Sequence, residues 1–201
     1  MRETTIDLIR HGEPEGGHKI RGTLDDLLSE LGWSQMHAAI GSQRPWTRLV
    51  SSPLRRCRHF AENLSQQTGV PLSLNPEFRE ICFGAWEGLT TAELMAQDAT
   101  ALQRYWRDPA QHAPENAEPV QDFLARVHAA WDALLEQQRG EHVLLVCHGG
   151  VIRAILSGVL GMPQERMWSI DVPYANVSRI VYRHLPDGSN LAQLKFHQAG
   201  F

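Results

Sequence analysis

Two short apolar runs in this chain end alike, and together they limit what it can fold into. Thr4 to Arg10, carrying Ile6, Leu8 and Ile9, stops at His11-Gly12-Glu13. His142 to Cys147, carrying Val143, Leu144, Leu145 and Val146, stops at His148-Gly149-Gly150. Runs of this length dominated by branched apolar residues read as buried strands, as in the parallel sheet of an α/β fold. Ligands of such sheets bind at the carboxyl edge of the strands. Each run therefore delivers an imidazole and a glycine to that edge, and side by side the two would bring His11 and His148 together.

The intervening segments follow helical periods. Gly32 to about Ser42 reads as a short helix, and Arg48–Ser51 and Leu72–Leu74 as short strands. Ser52 is expected to cap a helix with Pro53 at its first position, and Leu54, Cys57, Ala61 and Leu64 form its buried stripe. Arg55, Arg56, Arg58 and His59 crowd the first two turns, where cations oppose the helix dipole. An arginine held at such a place, Arg56 above all, suggests an anion. Thr90 to His112 reads as mostly helical. From Pro119 a longer helix turns Val120, Phe123, Leu124, Val127, Trp131 and Leu134 inward and Arg126 outward. A further helix is expected from Val151, then strands at Val177–Tyr182 and Leu191–Phe196 around a Pro186-Asp187-Gly188 turn.

With 201 residues and no repeat or linker, a single domain over 1–201 is expected. The net charge of −4 provides no basic field for nucleic acid, so any anion site must be a local pocket. No apolar run is long enough to cross a bilayer. Cys57, Cys82 and Cys147 lack metal-ligand spacing and read as thiols of a reduced, cytoplasmic protein. The remaining histidines, His142 among them, are scattered and read mostly as surface residues.

Two arginines, two histidines and a helix start at one sheet edge would make a receptacle for a dianionic phosphate. Four motifs carry a resemblance. Arg10-His11-Gly12-Glu13, Ser51-Ser52-Pro53-Leu54-Arg55-Arg56, Arg79-Glu80 with Phe83 to Gly88, and Cys147-His148-Gly149-Gly150 resemble, in this order, the histidine phosphatase superfamily, also called phosphoglycerate mutase-like. The resemblance spans about residues 4 to 180. It implies a three-layer α/β/α sandwich with a mostly parallel central sheet. It makes His11 the nucleophile that becomes phosphohistidine, and Arg10, Arg56 and His148 the holders of the phosphoryl oxygens. Glu80, set among Phe78, Ile81 and Phe83, becomes the proton donor, and Gly149 a further phosphate contact. No metal or other cofactor is implied, since the cations fill that electrostatic role.

One position departs from the pattern: Gly17 stands where mutases of the superfamily usually carry an asparagine phosphate contact. Arg21 or a backbone N–H at Gly17 would substitute. The interval between Glu80 and His148 is also shorter than in the mutases, which place basic residues there for a second acidic group, and the two differences favour hydrolysis over mutase chemistry. Within the superfamily, Arg21 to Asp26 with Gly32 to Met36 resembles the α-ribazole phosphatases. That implies removal of the 5′-phosphate of α-ribazole 5′-phosphate in cobalamin biosynthesis. Trp86, Tyr105 and Trp106 either offer stacking surface to an aromatic base or join the core. The alternatives are a phosphoglycerate mutase, a broad-specificity sugar or metabolite phosphatase, and an inactive phosphate-binding module. The expected partner is a small phosphomonoester, without nucleic acid or membrane, and a homodimer stays open.

Overall fold

The computed structural model describes residues 3–185 and 190–199. Its strands are β1 (Glu3–Arg10), β2 (Arg48–Ser51), β3 (Leu72–Leu74), β4 (His142–Cys147), β5 (Val177–His184) and β6 (Asn190–Ala199). Its helices are α1 (Glu30–Ile40), α2 (Arg55–Thr68), α3 (Thr91–Gln97), α4 (Ala101–Arg107), α5 (Val120–Gln137) and α6 (Gly149–Val159). The strands form one six-stranded sheet in the order β3-β2-β4-β1-β5-β6. The first four in that order run parallel; β5 joins β1 antiparallel, and β6 joins β5 antiparallel.

Alternation along the strands assigns the helices to two faces. Ile6, Leu8, Val143, Leu145 and Ile180 pack with Phe123, Val127 and Trp131 of α5 and Ile152 and Ile155 of α6. Ile9, Leu49, Leu144 and Val146 pack with Met36 and Ile40 of α1 and Cys57, Phe60 and Leu64 of α2. The result is the expected three-layer α/β/α sandwich. Each of these large side chains, fully buried, contributes about 1.5–3 kcal/mol relative to exposure. Asp7 is the polar exception on the second face. Its carboxylate accepts bonds from Trp46 Nε1 at 2.8 Å, Arg179 Nε at 2.7 Å and His142 Nε2 at 2.8 Å. Against the upward pull of burial, these donors hold its pKa below the ordinary value.

The structure revises several local expectations. The helix expected at Ser52-Pro53 begins two residues later, at Arg55, and Leu54 caps it without a side-chain bond. Thr90–His112 breaks at Asp98–Thr100 into α3 and α4, Thr90 closing a capping box with Glu93. Arg126 does not face out. It is half-buried, bonding the Glu118 carboxylate and the carbonyls of Glu77, Arg79 and Glu80. His142 is committed to Asp7 rather than free at the surface. The Pro186-Asp187-Gly188 turn lies outside the described residues.

Candidate active site

The β1–β4 register pairs Ile9 with Val146 and Arg10 with Cys147, so the next residues, His11 and His148, emerge side by side. The rings stand edge to face with centroids 5.2 Å apart. The β2–β4 register brings Ser52 to the same edge. Ser52 Oγ lies 2.7 Å from His148 Nε2 and fixes that ring, which explains why this serine does not cap α2. Gly12 is required here: a Cβ on it would lie 2.1 Å from the Gly32 carbonyl oxygen, where the loop after β1 crosses α1.

His11 is only 5 % exposed, and its Nδ1 lies 2.7 Å from the Gly12 carbonyl oxygen. A carbonyl only accepts, so Nδ1 carries the proton and Nε2 keeps its lone pair for attack. Burial, then the nearby Arg56 and Arg10 guanidiniums, push the His11 pKa well below the usual histidine range. His148 shifts the same way, through burial, Arg56 and His11.

Arg56 is fully buried and reaches in from α2. Its Nη1 donates to Leu24 O at 2.6 Å and its Nη2 to Gly22 O at 3.0 Å, while its buried Nε has no partner among the described residues. Arg10 gives one bond, Nη1 to Val172 O at 2.6 Å, and lies 4.2 Å over the Tyr174 ring. A guanidinium has five N–H donors, so both retain donors for phosphoryl oxygens. The site is thus a buried imidazole base ringed by cations that are only partly satisfied.

An inner cavity of about 180 Å³ is lined by Arg10, Arg21, Glu80, Gly149, Gly150 and Trp106, with Trp86 and Trp168 among its other walls. His11, Arg56 and His148 stand back from this wall in the buried layer. Glu80 Oε2 accepts the Gly150 N–H at 3.0 Å and Oε1 the Ile81 N–H at 3.1 Å. The carboxylate packs so closely that a Cβ on Gly150 would come within 2.3 Å of Oε1. This corrects the expected anion site: α6 begins at Gly149, and the Gly150 amide serves Glu80 rather than a ligand. The Gly149 amide, at the first position of α6, is not taken by Glu80. Arg21 is buried on the inner wall, tied to Asp26 at 2.8 Å and to Glu15 O at 2.5 Å. Gly17 is exposed with φ 71° and, unlike Arg21, does not line this cavity or the larger one beside it. Trp86 and Trp106 line the inner cavity, whereas Tyr105 is buried behind them.

Three residues escaped the sequence reading. Arg153 borders Gly149, where an added Cβ would lie 3.0 Å from its Nη1, and its Nε donates to Ile170 O at 2.8 Å. Its spacing was a usable signal, since side chains one helical turn on lean back over the turn before. Tyr174 and Trp168 come from irregular segments with no periodic signal. Tyr174 lies between His11 and His18, with centroids 5.8 Å from each.

With both histidines neutral in the fold, the two rings are expected to stay unprotonated as pH falls from 8 through 6. An NMR titration of the imidazole nitrogens checks this; a midpoint near 6.5 for either ring would contradict it. The stability consequence has a definite sign. The unfolded chain binds protons below about pH 6.5 while the folded one does not, so stability is full above that pH. It then falls by up to about 1.4 kcal/mol per pH unit for each ring, until the depressed folded pKa is reached.

The histidine phosphatase superfamily (branch 1) profile matches residues 6–192. A glucosyl-3-phosphoglycerate phosphatase of Mycolicibacterium vanbaalenii is 34 % identical over 181 residues, covering 85 % of this chain and 80 % of that protein. The structure of a mycobacterial glucosyl-3-phosphoglycerate phosphatase with vanadate (VO3) superposes with a TM-score of 0.85 at 29 % identity, covering all of both chains. An Escherichia coli protein provisionally described as an α-ribazole 5′-phosphate phosphatase superposes at 0.80 with 28 % identity, covering 98 % of this chain and 96 % of that one. Profile, relatives and geometry agree, and the chain belongs to the histidine phosphatase superfamily as one of its phosphatases.

Proposed function

We propose that this chain hydrolyses small phosphomonoesters in two steps through a phosphohistidine on His11. The observation that carries this reading is the His11 Nδ1 bond to Gly12 O, which holds the ring in its nucleophilic tautomer among Arg10, Arg56 and His148. His11 Nε2 forms a bond to phosphorus as the ester P–O bond breaks, and Glu80 gives its proton to the departing alkoxide. Water then attacks the phosphohistidine, the N–P bond breaks, and Glu80 takes back a proton. Arg10, Arg56, His148 and the Gly149 amide hold the phosphoryl oxygens, and Arg21 supports them from the cavity wall. The free thiols of Cys57, Cys82 and Cys147 support placing this chemistry in a reducing cytoplasm. No helix among the described residues is long and apolar enough to cross a membrane.

Two substrate classes are in view. The named relatives favour a phosphorylated sugar or glycerate. The residues that suggested α-ribazole 5′-phosphate are largely architectural. Thr23 and Leu24 hold the Glu87 carboxylate, and a Cβ on Gly22 would strike it at 2.1 Å. Trp33 packs on Phe60. That substrate keeps one support, the indoles of Trp86 and Trp106 along the inner cavity.

Because guanidiniums and an imidazole clamp the phosphoryl group, turnover of p-nitrophenyl phosphate is expected to persist in excess chelator. Vanadate, a mimic of the five-coordinate phosphoryl group, is expected to inhibit. Loss of turnover in chelator with recovery on adding magnesium would overturn the mechanism. A phosphate-release panel of sugar phosphates, phosphoglycerates and α-ribazole 5′-phosphate ranks the substrates.

A further inference from the structure

Glu80 stands in a stretch, residues 79–83, that belongs to neither helix nor strand. Such segments are ordinarily the more mobile parts of a fold, yet a proton donor must be held close to its productive position. The Glu80 carboxylate is held from α6, through the Gly150 N–H. The main chain around it is held from α5, by one side chain. Arg126 Nη1 donates to Glu77 O at 2.5 Å and to Arg79 O at 2.9 Å, and Nη2 donates to Glu80 O at 3.2 Å. Glu118 takes the rest, Nε to Oε1 at 2.6 Å and Nη2 to Oε2 at 2.9 Å. All five N–H donors of the guanidinium are then in use.

Glu118 closes the grip from the other side. Its Oε2 accepts the Cys82 N–H at 3.3 Å, and its own N–H donates to Cys82 O at 3.0 Å. The bonds therefore bracket the acid, reaching positions 77, 79 and 80 on one side and 82 on the other. Neither Arg126 nor Glu118 lines the inner cavity. Arg126 also lies 4.9 Å over the Phe123 ring, and a Cβ on Gly150 would come 3.4 Å from Cζ of that ring. The helix that fixes the acid's main chain thus also backs the turn of α6 that fixes its carboxylate. Stability alone does not call for this, since a half-buried ion pair adds little to it. Five directed donors specify a position.

We propose that Arg126, together with Glu118, is a positioning residue for proton transfer, setting where the Glu80 carboxyl meets the leaving oxygen. It touches neither the substrate nor the reacting atoms. The proposal rests on the reading of Glu80 as the acid and deepens it.

The test compares Arg126→Lys, Glu80→Gln and the double variant. Lysine keeps the charge but has three donors on one atom, too few to reproduce the fork. The readout is the burst of alcohol or phenol released as His11 is phosphorylated, by p-nitrophenyl phosphate and by the best alkyl ester of the phosphate-release panel. Arg126→Lys is expected to slow this step by about ten- to a hundredfold for the alkyl ester, the scale of an ångström's misplacement, and far less for the nitrophenyl ester. With Glu80→Gln already in place it should add less than roughly threefold for the alkyl ester, because no acid remains to be misplaced. If Arg126→Lys does not fold, Glu118→Gln, which takes one carboxylate oxygen from the grip, is read by the same criteria. Equal slowing of both esters, or losses that multiply fully in the double variant, would make Arg126 a brace for the fold and overturn the proposal. A Glu80→Gln variant that fails to distinguish the esters is a different result, one that removes the acid reading itself and the proposal with it.

Discussion

His11→Ala is expected to lower turnover by at least roughly four powers of ten, the scale seen when a nucleophile acting as a unit with its partners is removed. It should also eliminate the acid-labile, base-stable phosphoenzyme trapped by rapid quenching with a labelled ester. The size of the effect follows from what surrounds the ring. Burial and two guanidiniums keep His11 neutral, and the Gly12 carbonyl selects the tautomer with Nε2 free. The other imidazole at the sheet edge, His148, has its Nε2 engaged by Ser52. Truncating a buried ring also leaves a cavity, so loss of activity alone proves little. The discriminating measurement is phosphate binding: Arg10, Arg56 and Gly149 remain, and the variant should still bind inorganic phosphate. A variant that binds phosphate and still accumulates labelled phosphoenzyme would show that the nucleophile lies elsewhere.

The parts of this site legible in the sequence are those fixed by strand ends. Strands buried on both faces announce themselves as apolar runs, and once β1 and β4 are parallel neighbours the positions of His11 and His148 follow. Arg56 was legible for a different reason, as a cation where the helix dipole disfavours one. What escaped depends on tertiary approach. Arg126 falls on the solvent side of α5 by period, yet the loop carrying Glu80 folds over it and takes its donors. Ser52-Pro53 has the composition of a helix start, but His148 competes for the serine hydroxyl. That the Gly150 amide serves Glu80 has no local signal, because nothing near it in sequence shows that Glu80 will reach it. Tyr174 and Trp168 come from segments without period, and only the fold brings them to the site.

The largest effect after His11 concerns Glu80, and the leaving group exposes its role. An alkoxide departs poorly and needs a proton as the P–O bond breaks, whereas a nitrophenolate leaves almost unaided. Glu80→Gln is therefore expected to slow phosphorylation of His11 by an alkyl ester by roughly two to four powers of ten. The same step with a nitrophenyl ester should suffer far less. Steady-state rates blur this contrast, because Glu80 also activates water in the second step. The first step is best read from the burst of released alcohol or phenol. Structural damage must be kept apart from lost proton transfer, since both carboxylate oxygens accept backbone N–H groups, from Gly150 and Ile81. An amide has one oxygen, so the variant leaves one of these donors unpaired, at a cost of about 1–3 kcal/mol in stability. That cost falls equally on both esters and cannot create a difference between them. Glu87 is no substitute donor: its oxygens already accept from Thr23, Leu24 and Phe83, and despite burial these bonds hold its pKa low. Equal losses in the first step for the two esters would make Glu80 a brace for the start of α6 rather than the acid.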